Sequence, residues 1–445
     1  MQKEKYGLFT AITMITGIVI GSGIFFKSDD VLWYTNGNMI LGIIVFCIAA
    51  VAIIFGCLSM SQLAMLTNKP GGIVTYAEDF IGRGIACAFG WFQMLLYFPT
   101  LVAVVSWVAG MYICQLFGWP SSNLLWTAIG FIVLILIFSM NMLSAKLGGM
   151  FQNASMIIKL IPLLLIAIFG MVFGNPGTIA SEDIRTMSEA TAGAGFLAAL
   201  APIAFSMDGW IVSTSIGHEI KNSKRNLPLA LIIAPILILI VYVAYFVGIT
   251  SLVGVETVLA QKNESVFTVA NMIVGHIGAK MLLVFVIISV LGTVNGLTLG
   301  FIRTPYSLAL RKMVPRSNQL SKECKSLKDM PINSAVFSFF LSVFWLVVHY
   351  YTQEHGLQGD VSEIAVTVSY LNYVLLYVVV IRLTRDGTIK NKFMGYVAPI
   401  LAIIGSLVIV YGSKSNPIFL YSLVICYGVM GLSVLYYYKN KNIIL

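Results

Sequence analysis

Apolar residues run along this chain in blocks of about 20 residues or more, and the charged residues gather in short patches between the blocks. A helix of that length crosses a hydrocarbon core of roughly 30 Å. The pattern predicts twelve spans, at 8–34, 39–66, 84–117, 124–142, 146–173, 194–217, 227–253, 276–303, 332–351, 362–382, 393–413 and 416–438. Lys3 and Lys5 before an apolar run with small residues near Gly21 could mark a signal peptide. The apolar run resumes after Gly23 and no soluble domain follows, so this segment is read as the first span. The expected class is an all-α polytopic membrane protein.

Composition narrows the function. The 445 residues are 59% hydrophobic and 10% charged, with a mean hydropathy of +0.92. A soluble chain carries about 25% charged residues. A soluble enzyme, a nucleic-acid binder and a disulfide scaffold are therefore excluded. The net charge of +9 reflects topology. With both termini in the cytosol, 21 of the 27 Lys and Arg residues fall on the inside, five on the outside and Lys159 within a span. That asymmetry fixes the orientation by the positive-inside rule. The longest loop, 304–331, is cytosolic and basic, as expected of a connector near anionic lipid. The segment 67–82 begins with the helix breaker Pro70-Gly71-Gly72 and continues as an amphipathic stretch. It reads as a surface helix or as a cytosolic gate.

Two formal charges lie deep in apolar surroundings, Lys159 and Asp208. Lys159 sits about 20 Å of helix from either end of the fifth span. It cannot snorkel that far, so its ammonium must face protein or water. Intramembrane ionisable residues mark substrate or ion pathways by default, with a buried ion pair between helices as the alternative. In the first span, Gly21-Ser22-Gly23 are consecutive and weaken the helix, whereas close helix packing would place small residues about four apart. The sixth span has a matching irregularity, Pro202 followed by Phe205-Ser206-Met207-Asp208-Gly209-Trp210. Non-helical backbone at that depth must line a cavity or be buried in protein.

The two breaks fall five spans apart. This is the pattern of inverted five-span repeats with a substrate site between discontinuous helices. A broken helix offers free N–H groups and a positive dipole end on one side of the gap, and free carbonyls on the other. An α-amino acid complements both. The N–H groups near Ser22, Gly23 and Ile24 would hold its carboxylate, and the carbonyls near Val19, Phe205 and Asp208 its amine. Ile20 and Ser206 lie in the same two breaks. Catalytic motifs are absent or out of context. His218, His276, His349 and His355 sit near span ends, and Gly193-Ala194-Gly195 follows a loop where a dinucleotide fingerprint needs a strand. Asn263-Glu264-Ser265 is a glycosylation sequon with meaning only in a secretory pathway. The six cysteines show no CxxC spacing and read as small buried hydrophobes. No cofactor, metal or nucleic-acid partner is expected.

IGSGIF at 20–25, PGG at 70–72 with EDFIG at 78–82, FSMDGW at 205–210 and EIKNSKRNLPLAL at 219–231 resemble the amino acid–polyamine–organocation superfamily. Within it the chain is most similar to the L-amino acid transporter branch and its bacterial alanine–serine–cysteine exchangers. The resemblance implies a LeuT-type fold with a 5+5 inverted repeat and broken helices 1 and 6. It divides the chain into 1–175 (spans 1–5), 176–385 (spans 6–10) and 386–445 (peripheral spans 11 and 12).

It also implies roles. Gly21, Ser22 and Gly23 bind the substrate carboxylate, while Val19, Phe205 and Asp208 bind the amine through carbonyls. Phe205 closes the site from outside, and Asn295 in GTVNG faces the substrate side chain. Lys159 stands where sodium sits in sodium-coupled relatives, tethering spans 1, 5 and 8. Tyr97 and Trp210 are further aromatic candidates, Trp210 for gating, with packing as the alternative. The loop after span 3, GWPSSN, lacks the cysteine that links animal relatives to a heavy subunit, so no disulfide-linked partner is expected.

The function expected is sodium-independent exchange of neutral, small L-amino acids by alternating access, in a bacterial inner membrane. A proton-coupled symporter with Lys159 as the titrating group is the alternative. A channel or sensor finds no filter motif in its favour.

Overall fold

The structure, a computed structural model, describes residues 7–21, 23–67, 69, 71–211, 220–324, 330–356, 360–414 and 419–440. These residues are helical almost throughout, with no sheet among them. Among the described residues nine helices are long and apolar enough to cross a bilayer. They are Met39–Leu66, Arg83–Phe117, Asn123–Leu143, Arg225–Val253, Val255–Leu310, Ile332–Glu354, Val361–Arg385, Phe393–Ser413 and Phe419–Lys439. They correspond to nine of the twelve predicted spans. Within Val255–Leu310 the backbone turns at Gly275, whose φ of +69° suits glycine, and the eighth span begins at the next residue.

The first, fifth and sixth predicted spans are each interrupted. The first consists of helices Leu8–Val19 and Gly23–Tyr34. The sixth has a 3₁₀ run Ala192–Ala199, a helix Leu200–Ser206 and a turn at 207–209, and its continuation at 212–219 lies outside the described residues. The fifth, expected uninterrupted over 146–173, keeps helical backbone through Lys159 (φ −65°, ψ −22°) and breaks only in its hydrogen-bond ladder there. Helices Ala145–Ile158 and Leu160–Phe173 meet at Lys159. Pro162 accounts for this break: it has no N–H for the Ile158 carbonyl, and its ring crowds that carbonyl. Beyond Phe173 the chain bends by 83° into helix Pro176–Ala190.

The chain divides into two compact units. One comprises Met1–Gly72, Lys159–Val286 and Val366–Asn416. Inside it, helices Leu160–Phe173 and Ser223–Val253 cross where Gly170 meets Gly248, and a Cβ on Gly248 would lie 2.9 Å from the Ala167 Cα. Small residues let membrane helices approach to backbone contact. Helix Met39–Leu66 is capped by Asn38, whose side chain accepts from the Leu41 N–H (2.8 Å) and donates to the Asp183 carbonyl (2.8 Å). The Asp183 carboxylate accepts from the Ile40 N–H (3.1 Å), so a second helix satisfies a donor that the first leaves free.

The other unit comprises Ile73–Ile158, Ile287–Ala365 and Pro417–Leu445. Its helix Arg83–Phe117 widens into a π-helical turn at Gln93–Tyr97. Pro99 follows and lacks the N–H that the Leu95 carbonyl would accept. The Trp345 indole donates to that carbonyl instead, at 2.8 Å. Segment 67–82 forms helix Gly72–Phe80, with Ile73, Val74, Tyr76 and Ala77 buried. Glu78 fixes it, in an ion pair with Arg83 (3.2 Å) and accepting from Arg311 (2.9 Å), while Arg311 also donates to Thr75 (3.1 Å).

Candidate functional site

The first break leaves the end of helix Leu8–Val19 with carbonyls that no N–H of its own helix reaches. Ile20 donates its N–H to the Thr16 carbonyl (2.8 Å) and then extends, at ψ 101°. The Lys159 ammonium donates to the Gly17 carbonyl at 2.6 Å. Lys159 is 1% exposed, and among the described residues no carboxylate pairs with it. A cation at a helix C-terminus meets the negative end of the macrodipole, and burial keeps water from screening the contact.

The sixth break begins at the end of helix Leu200–Ser206. Met207 donates to the Ile203 carbonyl (2.9 Å) and Asp208 to the Phe205 carbonyl (3.1 Å). Gly209 then takes φ +94°, a conformation that stops the helix and that side chains resist. Tyr242, fully buried on helix Ser223–Val253, joins the two breaks. Its hydroxyl is shared between the carbonyls of Val19 and Ser206, each at 3.0 Å. The backbones themselves touch: a Cβ on Gly23 would lie 2.7 Å from the Ser206 Cα.

The structure thus brings together Val19, Ile20, Gly21, Gly23, Ile24, Phe205 and Ser206, all buried, around one pair of broken helices. Ser22 lies outside the described residues. Asp208 is half-buried, within electrostatic reach of Tyr370 and Tyr373. Trp210 packs edge-on against Tyr373 (5.5 Å), and a Cβ on Gly56 would lie 3.4 Å from its ring. That environment fits the packing alternative for Trp210. Tyr97, in the other unit, is buried edge-on against Phe98 (5.3 Å).

Asn295 is also in that second unit, and three of its four hydrogen-bonding positions are taken. It donates to the Gly148 carbonyl (2.9 Å) and to Gln152 Oε1 (3.1 Å), and accepts from Asn141 (2.8 Å). Its oxygen keeps one lone pair beyond the bond from Asn141. Two features escape the sequence reading. Pro162 was the available signal for the break at Lys159, whereas Tyr242 looks like any aromatic in an apolar helix.

Chemically, the start of helix Gly23–Tyr34 offers N–H groups without intrahelical acceptors, at the positive dipole end. Across the gap the Val19 carbonyl keeps one lone pair beyond its bond to Tyr242. A zwitterion with adjacent carboxylate and ammonium matches that pair of surfaces. Broken helices of this kind, set among helices of bilayer length, define a polytopic membrane transporter. Residues 6–438 match the amino acid permease family, and the chain belongs to it. It is a multi-pass membrane transporter and not an enzyme.

The chain is 28% identical over 448 residues to the serine/threonine exchanger SteT of Bacillus subtilis (strain 168), covering 99% of this chain and 98% of that protein. It is 24% identical over 424 residues to the b(0,+)-type amino acid transporter 1 of Mus musculus, covering 92% and 82%. It is 26% identical over 304 residues to the cystine/glutamate transporter of Homo sapiens, covering 66% and 58%.

Proposed function

We propose that this chain is a sodium-independent exchanger of neutral, small L-amino acids, working by alternating access. The observation that carries this reading is the Lys159 ammonium seated on the Gly17 carbonyl at 2.6 Å. A fixed cation at the negative end of a broken helix does there what a mobile sodium ion would otherwise do. Gly21, Ser22, Gly23 and Ile24 are the groups for the substrate carboxylate; Val19, Phe205 and Asp208 supply carbonyls for its amine. Asn295 contributes to side-chain recognition through the lone pair its oxygen keeps, or by exchanging one of its bonds. The similarity to a serine/threonine exchanger along nearly the whole chain supports exchange of small amino acids.

The division into units supports the repeat. Spans 1, 2, 6 and 7 fall in one unit and spans 3, 4 and 9 in the other, while spans 5 and 8 are each divided and spans 10 and 11 go with the first. A five-span period of this kind fits a 5+5 inverted repeat over 1–175 and 176–385, with 386–445 peripheral. Twelve spans then consist of the nine continuous helices and the three broken ones. Both termini are cytosolic on the lysine and arginine count, and the membrane is a bacterial inner membrane.

The alternative, a proton-coupled symporter with Lys159 as the titrating group, is favoured by one observation. The ammonium meets a neutral carbonyl and, among the described residues, no carboxylate. Proteoliposomes preloaded with labelled L-alanine or L-serine separate the two. Efflux that requires external amino acid and ignores an imposed pH gradient supports exchange. Net accumulation driven by protons replaces it with symport.

A further inference from the structure

One helical turn beyond the Gly23–Ser206 contact, on the same face of helix Gly23–Tyr34, stands Lys27. A lysine near a membrane surface ordinarily keeps its head in water. Lys27 does not: the residue is 3% exposed, and its ammonium lies 5.5 Å from the centre of the Phe205 ring. Asp30, one turn further along, accepts from the same ammonium at 3.2 Å. Asp29 and, beyond it, Lys262 lie within electrostatic reach. Phe25, on the same helix, is set edge-on against Tyr245 at 5.5 Å, which fixes the helix beside helix Ser223–Val253.

The chemistry of this arrangement is specific. An ammonium over an aromatic face is held by the ring quadrupole, and more strongly when water is excluded. Asp30 has a 35% exposed side chain, so its ion pair is screened and serves mainly to aim the ammonium. The ring contact is buried and adds to the attraction. Phe205 closes the helix Leu200–Ser206 at the sixth-span break, and Lys27 belongs to the helix that follows the first-span break. The cation therefore joins the two broken spans through side chains, beyond the point where their backbones meet.

We propose that Lys27 is a positioning residue for the outer closure of the site: its ammonium, aimed by Asp30, holds the Phe205 ring across the gap and so favours the outward-closed form. This rests on the transport reading above for the meaning of outer closure. Opening to the outside must part the ammonium from the ring and return it to water. Loss of the ammonium shifts the population towards the outward-open form, which lowers the half-saturation concentration outside and raises it inside. A residue that merely stabilised the fold would move both in the same direction or neither.

The test compares wild type, Lys27→Met, Lys27→Arg and Asp30→Asn, each as the full chain in proteoliposomes. Exchange of labelled L-serine is measured against external and against internal L-serine, and hydrogen exchange is followed over 23–34 and 200–206. Lys27→Met is expected to lower the external and raise the internal half-saturation by about threefold or more each. It is also expected to speed hydrogen exchange in both segments. Lys27→Arg should restore both readouts, and Asp30→Asn should move them partway. Half-saturations that rise together, or an arginine variant that behaves like the methionine one, would overturn the proposal. So would unchanged hydrogen exchange in both segments, a result that stands whether or not the protein exchanges amino acids. A wild type that exchanges nothing would instead sink the transport reading, with hydrogen exchange still deciding the role of Lys27. Should Lys27→Met not fold, the arginine and Asp30 variants carry the same comparison.

Discussion

A buried polar cluster in one compact unit and another in the second use their hydrogen bonds differently. Around Asn295 the bonds are mostly between side chains: its two N–H groups and its oxygen have partners on Gly148, Gln152 and Asn141, while the Asn141 Oδ1 is buried without a partner among the described residues. Around Lys159 and Tyr242 the side chains reach carbonyls that broken helices leave exposed, at Gly17, Val19 and Ser206. A cluster bonded mainly among its own side chains holds helices in register. An open one supplies fixed charge and main-chain groups with spare capacity, as a binding site for a small zwitterion needs. Buried polarity, even with an atom left unpartnered, therefore does not mark the site; free main-chain groups beside a fixed charge at a helix break do.

Substitutions can break this comparison. The largest effect is expected from Gly23→Val, whose side chain would run into the Ser206 backbone 2.7 Å from its Cβ. Equilibrium binding of labelled serine should be lost while the protein still inserts; retained binding would remove the first-span backbone from the site. Next comes Lys159→Ala, which strips the charged partner from the Gly17 carbonyl. Exchange should slow by about tenfold or more, the worth of a buried charge-assisted bond. Unchanged kinetics in both directions would make the lysine structural only.

Tyr242→Phe deletes the one hydroxyl shared by both breaks and should cost about 1–3 kcal/mol by leaving main-chain groups unpaired. Its thermal midpoint should fall and its half-saturation change together, because the same atom serves packing and site. Asn295→Ala should cost about 1–3 kcal/mol as well, but with half-saturation nearly unchanged. A large rise in half-saturation at constant stability would move Asn295 to the open side of the comparison. The smallest effect belongs to Glu78→Gln, a partly exposed carboxylate between two arginines, which should cost less than about 1 kcal/mol and fade in high salt.

Much of this was legible in the sequence, for identifiable reasons. Nine spans follow from apolar length alone, since a bilayer admits few other solutions. The breaks near Gly21 and Met207 could be read because glycine, serine and aspartate are costly inside a span. The third break was harder, because Pro162 lies in so apolar a run that hydropathy hides it. Tyr242 could not be found at all, since its meaning depends on two carbonyls 223 and 36 residues away in the chain. Asn295 shows the opposite limit: a polar residue in mid-span invites a ligand role, and nothing local reveals that Asn141, 154 residues earlier, already donates to its oxygen. Residue type announces that a buried polar group needs a partner, but the fold decides which partner.

The claim at the centre of this account is that Lys159 supplies a fixed charge at the first-span break and makes a sodium ion unnecessary. The most direct measurement is serine exchange by wild type and Lys159→Ala in proteoliposomes, with sodium present and with sodium replaced by choline on both sides. The account predicts equal wild-type rates in the two media and a slowed Lys159→Ala in both. A wild type that stops when sodium is removed would contradict it.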